Sequence, residues 1–148
     1  MNSPDGSTVI FRRVPETLRK RSLALFARKL QAEVARGRRF DVLITGDAEL
    51  RRLNRQFRNK DYPTDVLSFP AATPDSLGDL AISLGRARAQ AREFGHTVED
   101  EIRILMLHGV LHLLGMDHET DSGAMARTEK RWRARLRLPN SLIERVRA

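Results

Sequence analysis

The sequence predicts a single α+β domain over residues 1–148, with a small mixed sheet of about four strands and five or six helices. Its length of 148 residues falls within the usual range of one domain. Hydrophobic residues make up 41% of the chain and charged residues 31%, which suits a packed core and argues against disorder. Strand and helix patterns follow one another without strict alternation, which favours α+β over a purely parallel α/β fold.

The first half of the chain shows two strand patterns, each followed by a helix pattern. A weakly alternating stretch over Thr8–Arg13 predicts the first strand. The apolar period of Pro15–Arg36 predicts an amphipathic helix ended by Gly37. Phe40–Thr45 is short and apolar and predicts a second strand, and Ala48–Phe57 predicts a second helix.

The second half begins with two further strand patterns and continues with helices. Asp65–Phe69 and Asp79–Ser83 predict strands in a hairpin-like pair, separated by a connection that contains proline. Leu84–Phe94 predicts a helix, and the basic stretch Ala124–Leu138 predicts the last one.

Between these two helices lies the clearest helix of the chain. Gly95 ends the preceding helix, and Thr97 is followed three residues later by Asp100, which is the spacing of a capping box. The helix is therefore expected to run from this cap to about Leu114.

This helix carries the most specific chemical pattern, HxxxHxxGxxH. His108 and His112 are four residues apart, so both rings lie on one face and can reach one ion. Gly115 can take a left-handed conformation that reverses the chain and returns His118 toward the same point. Three imidazoles with an open fourth position are typical of a catalytic zinc site. A bound ion would also satisfy imidazoles that are costly to bury unpaired among leucines.

The spacing is that of the metzincin peptidases, HExxHxxGxxH, with one difference. Gly109 stands where those peptidases need a glutamate as general base, so peptide hydrolysis lacks its proton acceptor. Asp117 and Glu119 flank the third histidine and either orient it, activate water or face solvent. His96 lies three turns upstream of His108, about 18 Å along the axis, which predicts a surface or capping histidine rather than a ligand.

The composition excludes some kinds of site and favours one class of partner. The chain has no cysteine, so a disulfide framework and a thiolate metal site are both excluded. The net charge of +8 draws the protein toward nucleic acid, although 23 of the 27 basic residues are arginine and biased codon usage alone could produce much of this. No secretory signal or membrane span is recognisable, so a cytoplasmic location is expected.

Two basic stretches are candidate RNA contacts. The first could form a positive groove or a solvated helix face, two interpretations of similar weight, and comprises Arg51, Arg52, Arg55, Arg58 and Lys60. The second is the helix region Arg127–Arg137 with Trp132 inside it. There the ring either packs, which is the simpler interpretation, or adds a stacking contact.

Three ordered blocks resemble a known family. The segment His108–Glu119, HGVLHLLGMDHE, resembles the HGxLHLxGYDH motif of the YbeY family of bacterial endoribonucleases. Leu53–Pro70, LNRQFRNKDYPTDVLSFP, and Leu77–Ser83, LGDLAIS, resemble the family's two preceding blocks. The resemblance covers about residues 41 to 138 and departs at Met116, where the family often has an aromatic residue.

The resemblance implies an α+β zincin-like fold, one zinc ion on His108, His112 and His118, and a catalytic role for Arg58. It further implies cleavage of single-stranded RNA in 16S rRNA 3′-end maturation and ribosome quality control, with rRNA and the small ribosomal subunit as partners. Arg55 and Lys60 are the expected substrate contacts beside Arg58. Zinc as a Lewis acid and a fixed guanidinium suit the charge that a phosphodiester gains in its transition state. Two alternatives are a non-enzymatic, zinc-containing ribosome assembly factor and, less favoured, a metallopeptidase.

Overall fold

The structure, a computed structural model, describes residues 6–15, 17–58, 64–71, 73–117 and 122–139, with the backbone alone at Arg58. This part of the chain contains four strands and five helices, which confirms the predicted α+β class. In chain order they are β1 (Thr8–Phe11), α1 (Lys20–Glu33), β2 (Arg39–Thr45), α2 (Asp47–Arg58), β3 (Val66–Pro70), β4 (Ser76–Ser83), α3 (Leu84–Phe94), α4 (Val98–Leu113) and α5 (Ala124–Arg135).

The four strands form one mixed sheet in the order β1-β2-β4-β3. β1 pairs with β2 in parallel, and β2 pairs with β4 in parallel. β3 runs antiparallel to β4, so the expected hairpin-like pair is confirmed. Leu80 of β4 lies opposite Val42 on one side and Ser68 on the other, at the middle of the sheet.

One face of the sheet holds the main core. β2 alternates so that Phe40, Val42 and Ile44 point inward and are at most 1% exposed. Helix α1 meets them with Leu23 and Leu30, which are spaced by two turns on its apolar side and fully buried. Burying these five side chains contributes on the order of 1.5–3 kcal/mol each.

Helix α4 lies against this face and is buried on nearly every side. Eleven of its 16 residues are buried, and it contacts β3, β4, α1, α3 and α5. A helix that is apolar all round belongs in the interior of a domain. Among the described residues, no helix combines the length and the apolar character needed to cross a bilayer.

The second face of the sheet is covered by α2 over only part of its width. Leu50 of α2 packs on Leu67 and Ala81 in a small second core. At the end of α2 the ring of Phe57 meets Phe69 edge-on, with centroids 5.5 Å apart. Beyond these contacts the sheet faces an open cavity of about 450 Å³.

Helix α1 is shorter than predicted at both ends. It begins at Lys20 rather than Pro15, because the chain first makes a turn in which the Leu18 N–H bonds to the Pro15 carbonyl at 3.3 Å. It ends at Glu33 rather than Arg36, since Arg36 has a left-handed backbone with φ of 52°. Periodicity alone does not reveal such turns, because the apolar positions continue through them.

Strand β4 begins at Ser76, three residues before the predicted start at Asp79. Gly78 lies inside this extension with φ of 134°, and a Cβ there would collide with the Phe69 carbonyl oxygen. A glycine is required for that close approach, yet in the sequence it looks like part of a loop. Helix α5 likewise stops at Arg135 rather than Leu138, just before a left-handed Arg137.

Gly109 lets α4 lie close to the sheet. A Cβ at this position would lie 2.6 Å from Cδ2 of Leu80 and 2.9 Å from Cδ1. The Ser68 hydroxyl donates to the Gly109 carbonyl at 3.4 Å, which joins β3 to the same turn. Gly109 therefore faces the sheet, and a side chain at this position would require Leu80 to shift.

Replacement of Gly109 by alanine tests this packing. Alanine favours a helix by about 1 kcal/mol, but overpacking a core costs about 1–3 kcal/mol, so Gly109→Ala should lower the free energy of unfolding by about 1 kcal/mol. The loss should vanish in a Leu80→Ala background, as urea denaturation of the four proteins would show. Gly46→Ala is the control, since nothing lies within 4 Å of that Cβ. A Gly109→Ala protein more stable than wild type would contradict the close contact.

The open part of the second sheet face carries two carboxylates, and this generates a pH-dependent prediction. Asp79 is exposed on this face, yet partial desolvation and the neighbouring Asp41 charge raise the pKa of its carboxyl above the ordinary value of 3.8, against the effect of Arg39. A raised carboxyl pKa means that ionised Asp79 weakens the folded state once the pH exceeds both pKa values. Asp79→Asn should therefore stabilise the protein slightly at pH 7, and the gain should shrink as the pH falls toward 3.8.

Thermal unfolding between pH 7 and pH 4 measures the effect. Asp75→Asn, a change at an exposed carboxyl in the preceding turn, is the control. A gain for Asp79→Asn that is independent of pH would refute the electrostatic cause.

Candidate functional site

Helix α4 is fixed at its first turn as its sequence predicts. Gly95 closes α3 in a left-handed conformation with φ of 72°. The Thr97 hydroxyl then accepts a hydrogen bond from the Asp100 N–H at 3.0 Å. Asp100 turns its carboxylate to Arg103, at 2.8 Å. The cap sets the start of the helix and therefore the rotation of every side chain along it.

His108 and His112 lie together on one side of α4, as predicted. Their rings are 4.7 Å apart and inclined by 73°, with the two Nε2 atoms separated by 3.1 Å. Two nitrogens bound at about 2.0–2.1 Å to one tetrahedral zinc ion would be about 3.3 Å apart. The pair makes a hydrogen bond when one Nε2 is protonated and offers two metal donors when neither is.

The helix ends directly after this pair in a Schellman turn. Gly115 is left-handed with φ of 96°, and its N–H bonds to the His112 carbonyl at 2.9 Å. The Met116 N–H bonds to the Leu111 carbonyl at 3.1 Å, which completes the motif. The chain reversal expected at Gly115 is thus present. His118 itself lies outside the described residues, and within them no group of three potential metal-ligating side chains occurs.

Glu129 of α5 contacts the other nitrogen of His108, and it was not among the residues predicted for the site. Its Oε2 lies 3.2 Å from His108 Nδ1, and its side chain is fully buried. A carboxylate at that distance favours the tautomer with the proton on Nδ1, which leaves the Nε2 lone pair free to bind an ion. Glu129 follows buried Met125 by one helical turn, and this spacing is the only sequence feature that could have indicated it.

Asp65 adds a partly buried negative charge near the histidines. Burial raises the pKa of its carboxyl, whereas a hydrogen bond from the Val66 N–H and the nearby His108 charge oppose the rise. The Val66 N–H lies 2.8 Å from Oδ1, and Gln90 Nε2 lies 3.3 Å from Oδ2. Donors therefore fix both carboxylate oxygens at the start of β3.

His96 is not the surface histidine that its position suggested. Its Nε2 lies 2.6 Å from Oε1 of Glu101, and the two side chains are 9% and 0% exposed. Gln90 links Glu101 onward to Asp65 through contacts of 3.3 Å. A polar network thus runs beneath the first turn of α4, with the fully buried carboxylate of Glu101 at its centre.

The structure describes the predicted arginine and lysine contacts only in part. Arg58 is the last residue of α2 with only its backbone described, and Lys60 lies outside the described residues. Arg55 is exposed on α2, as a substrate contact requires. Arg52, by contrast, binds Glu49 at 3.1 Å, so the predicted positive groove is partly neutralised at this point.

Taken together, α4 and α5 bring two imidazoles and one buried carboxylate into a place that could hold a metal ion. Two imidazole nitrogens point at a common place, and a buried carboxylate sets the proton on the far side of one ring. Imidazole donors suit zinc, copper and nickel. The residues present therefore fit a transition-metal ion, with His118 as the predicted third donor.

Comparison with known proteins points to one family. The family model described as Endoribonuclease YbeY matches residues 11–137. The protein named Endoribonuclease YbeY of Solibacter usitatus is 73% identical over 146 residues, which cover 99% of each chain. The protein of the same name from Koribacter versatilis is 52% identical over 128 residues, which cover 86% of this chain and 84% of that one.

A solved structure agrees with the fold. The solution structure of a Thermotoga maritima protein superposes with a TM-score of 0.59 and 30% sequence identity. The match covers 84% of this chain and 85% of that one. The arrangement of the sheet and helices thus has an experimental counterpart.

The Glu129 contact generates a prediction about metal affinity. Glu129→Gln should weaken Zn²⁺ binding by about 10–100-fold, because the neutral amide no longer fixes the His108 tautomer or raises its basicity. Competition with a chromophoric chelator measures the affinity. Glu101→Gln is a closely matched control, because Glu101 is equally buried and also pairs with a histidine. Both changes should lower stability, but equal zinc affinity in all three proteins would overturn the role of Glu129.

Proposed function

The chain belongs to the YbeY family of endoribonucleases, and from this membership we propose that it cleaves single-stranded RNA with one bound zinc ion. The family membership confirms the resemblance found in the sequence blocks. The observation that carries the zinc proposal is the pair of His108 and His112 Nε2 atoms, 3.1 Å apart beside a buried carboxylate.

His108, His112 and His118 would hold the ion. A zinc ion at this place supplies a Lewis acid for the charge that develops on the phosphodiester oxygens. Three histidines leave a fourth position for the substrate side, as a catalytic rather than a structural site requires.

The first role of the protein's own side chains is to orient His108. The Glu129 carboxylate accepts a hydrogen bond from His108 Nδ1–H and so favours the tautomer in which Nε2 is unprotonated and would bind the ion. Both side chains are at most 8% exposed, so neither has room to rotate away. Asp65 adds negative charge near the same ring, which stabilises any positive charge at the site.

Arg58 is proposed to bind the non-bridging oxygens of the scissile phosphate. A guanidinium presents paired donors that match phosphate geometry, and its positive charge offsets the charge of the transition state. Arg55 precedes it by three residues and lies on the same side of α2, where it would contact a neighbouring phosphate. Lys60 would extend this contact along the strand.

The biological substrate is proposed to be the 3′ end of 16S rRNA on the small ribosomal subunit, within ribosome quality control in the cytoplasm. The net charge of +8 supports binding to a polyanion of this kind. The proposed substrate is single-stranded, because the phosphate that is cleaved must be able to approach the bound metal ion, and unpaired RNA allows this approach.

The packing at Gly109 argues against the peptidase alternative. The sequence has no glutamate directly after His108, and any side chain at Gly109 would first have to displace Leu80, since a Cβ there lies 2.6 Å from its Cδ2. The alternative of a non-enzymatic assembly factor shares the zinc site and the basic surface with the proposed nuclease. It differs in needing no catalytic arginine.

Cleavage of a labelled single-stranded 16S rRNA 3′ fragment tests the proposal, with zinc content measured in parallel by mass spectrometry. His112→Ala should lose both the metal and cleavage. Arg58→Ala should keep the metal and lose about 10²–10³-fold in rate, the usual effect of removing one transition-state donor. Arg88→Ala, a change at an exposed arginine of α3, is the matched control and should retain both.

Two results would change the conclusion. Cleavage at equal rates by all four proteins would indicate a contaminating ribonuclease and leave a binding role as the better account. Wild-type cleavage with full activity in Arg58→Ala would uphold the nuclease and remove the arginine from its mechanism.

A further inference from the structure

A second cavity lies away from the face of α4 that carries the histidines. Its volume is about 1080 Å³, and it is enclosed by the end of α1 with its following loop, the end of α4 and the side of α5. Leu114, two residues after His112, forms part of its wall. α5 supplies Trp132, which follows Glu129 by three residues. The two helices that position the histidine pair therefore also enclose this cavity.

The cavity is strongly basic. Arg36 and Arg38 reach it from the loop after α1, and Arg131 and Arg135 reach it from α5. Glu33 is the one acidic residue in the lining, so these five side chains carry a formal charge of +3. All four arginines are exposed. Like charges gathered from two elements repel one another, and an anion between them would relieve that repulsion.

Some arginines of the described part of the chain are paired with a carboxylate, and the four in the cavity are not. Arg52 pairs with Glu49 and Arg103 pairs with Asp100. Within the described residues, none of the four cavity arginines pairs with a carboxylate. Arg38 and Arg131 make only long contacts of 3.4 Å with neutral oxygens. Their donors are therefore available to a ligand.

Trp132 gives the cavity an aromatic wall. It is the single tryptophan of the chain, and it is partly buried against the main core while also lining the cavity. The guanidinium of Arg135 lies 5.4 Å from the centroid of its ring. Proteins that bind single-stranded RNA commonly use guanidinium groups to contact the phosphates. They stack the bases on a neighbouring aromatic ring or guanidinium plane.

The loop that carries Arg36 and Arg38 is held in place. The Gly37 N–H bonds to the Gln31 carbonyl at 2.7 Å, and the Gln31 side chain donates to the Gly37 carbonyl at 3.0 Å. The Arg38 N–H bonds to the Ala35 carbonyl at 3.1 Å. A fixed loop loses little conformational entropy on binding, which favours a ligand site.

We propose that this cavity binds a nucleotide of the RNA strand that flanks the cleaved phosphate, and this rests on the proposed function. The arginines of α5 and of the loop bind its phosphates, and the base lies against Trp132. The site acts as an anchor away from the histidine pair: it strengthens RNA binding without taking part in the chemistry.

Trp132 fluorescence provides a direct test with the zinc-loaded full-length protein. The probe is a single-stranded 2′-O-methyl RNA octamer, which lacks the 2′-hydroxyl. Saturable quenching of the tryptophan emission should accompany binding. Arg131→Gln/Arg135→Gln should weaken binding about tenfold, measured by anisotropy of a labelled octamer. It should also reduce the slope of log K against log salt by about 1.4, as the loss of two phosphate contacts requires.

Two further variants make the test specific. Arg88→Gln/Arg92→Gln removes the same charge with the same spacing from an exposed face of α3 and should bind like wild type. Arg36→Gln/Arg38→Gln removes two positive charges from the loop after α1, outside any helix. It should weaken RNA binding as much as Arg131→Gln/Arg135→Gln does. Agreement between these two cavity variants excludes misfolding of α5 as the cause.

The outcomes separate this inference from the nuclease proposal. RNA binding without a change in tryptophan emission, and with equal affinity in all three double variants, would overturn the cavity site even if wild-type protein cleaves RNA. Quenching by an acidic peptide of equal charge but not by the octamer would also overturn it and assign the cavity to a protein partner. Quenching and weakened variants with no wild-type cleavage would uphold the site and overturn the catalytic proposal.

Discussion

Helix α4 is buried on almost every side, and each polar group that it carries into the interior must find its partner there. An unsatisfied buried polar group costs about 1–3 kcal/mol, and a charged one costs more. Glu101 meets this requirement with His96, and His108 meets it with Glu129 and His112. Through these contacts, the turn before α4 and helix α5 both pack against α4. The hydrogen bonds that stabilise the fold therefore also fix the orientation of His108.

Much of this could be predicted because it depends on local sequence. The cap at Thr97 and the glycines at 95 and 115 define both ends of α4 without reference to the rest of the chain. Within any such helix, His108 and His112 must share a face. The mixed sheet was also predictable in outline, since its strands are short apolar segments bounded by turn residues. The proximity of these two histidines thus needed no tertiary information.

The remaining features depend on contacts between distant segments. Glu129 is separated from His108 by 21 residues and lies among arginines and lysines, so its charge looks like part of a solvated face. The pairing of His96 with Glu101 depends on how the turn after α3 folds back over α4. The central place of β4 in the sheet has no local cause either. His118, Arg58 and Lys60 stay predictions, because the structure does not describe their side chains.

The close approach at Gly109 bears on how this helix can evolve. Glycine and glutamate codons can differ by one base, so mutation offers the glutamate of a peptidase motif at this position readily. A glutamate there meets the close contact with Leu80 in the middle of the sheet, where even a Cβ lies 2.6 Å from Cδ2 of that side chain. A smaller residue at position 80 would relieve the contact, at a cost in stability of about 2–5 kcal/mol. Packing against the sheet therefore penalises the change that would bring this helix closer to the peptidase motif.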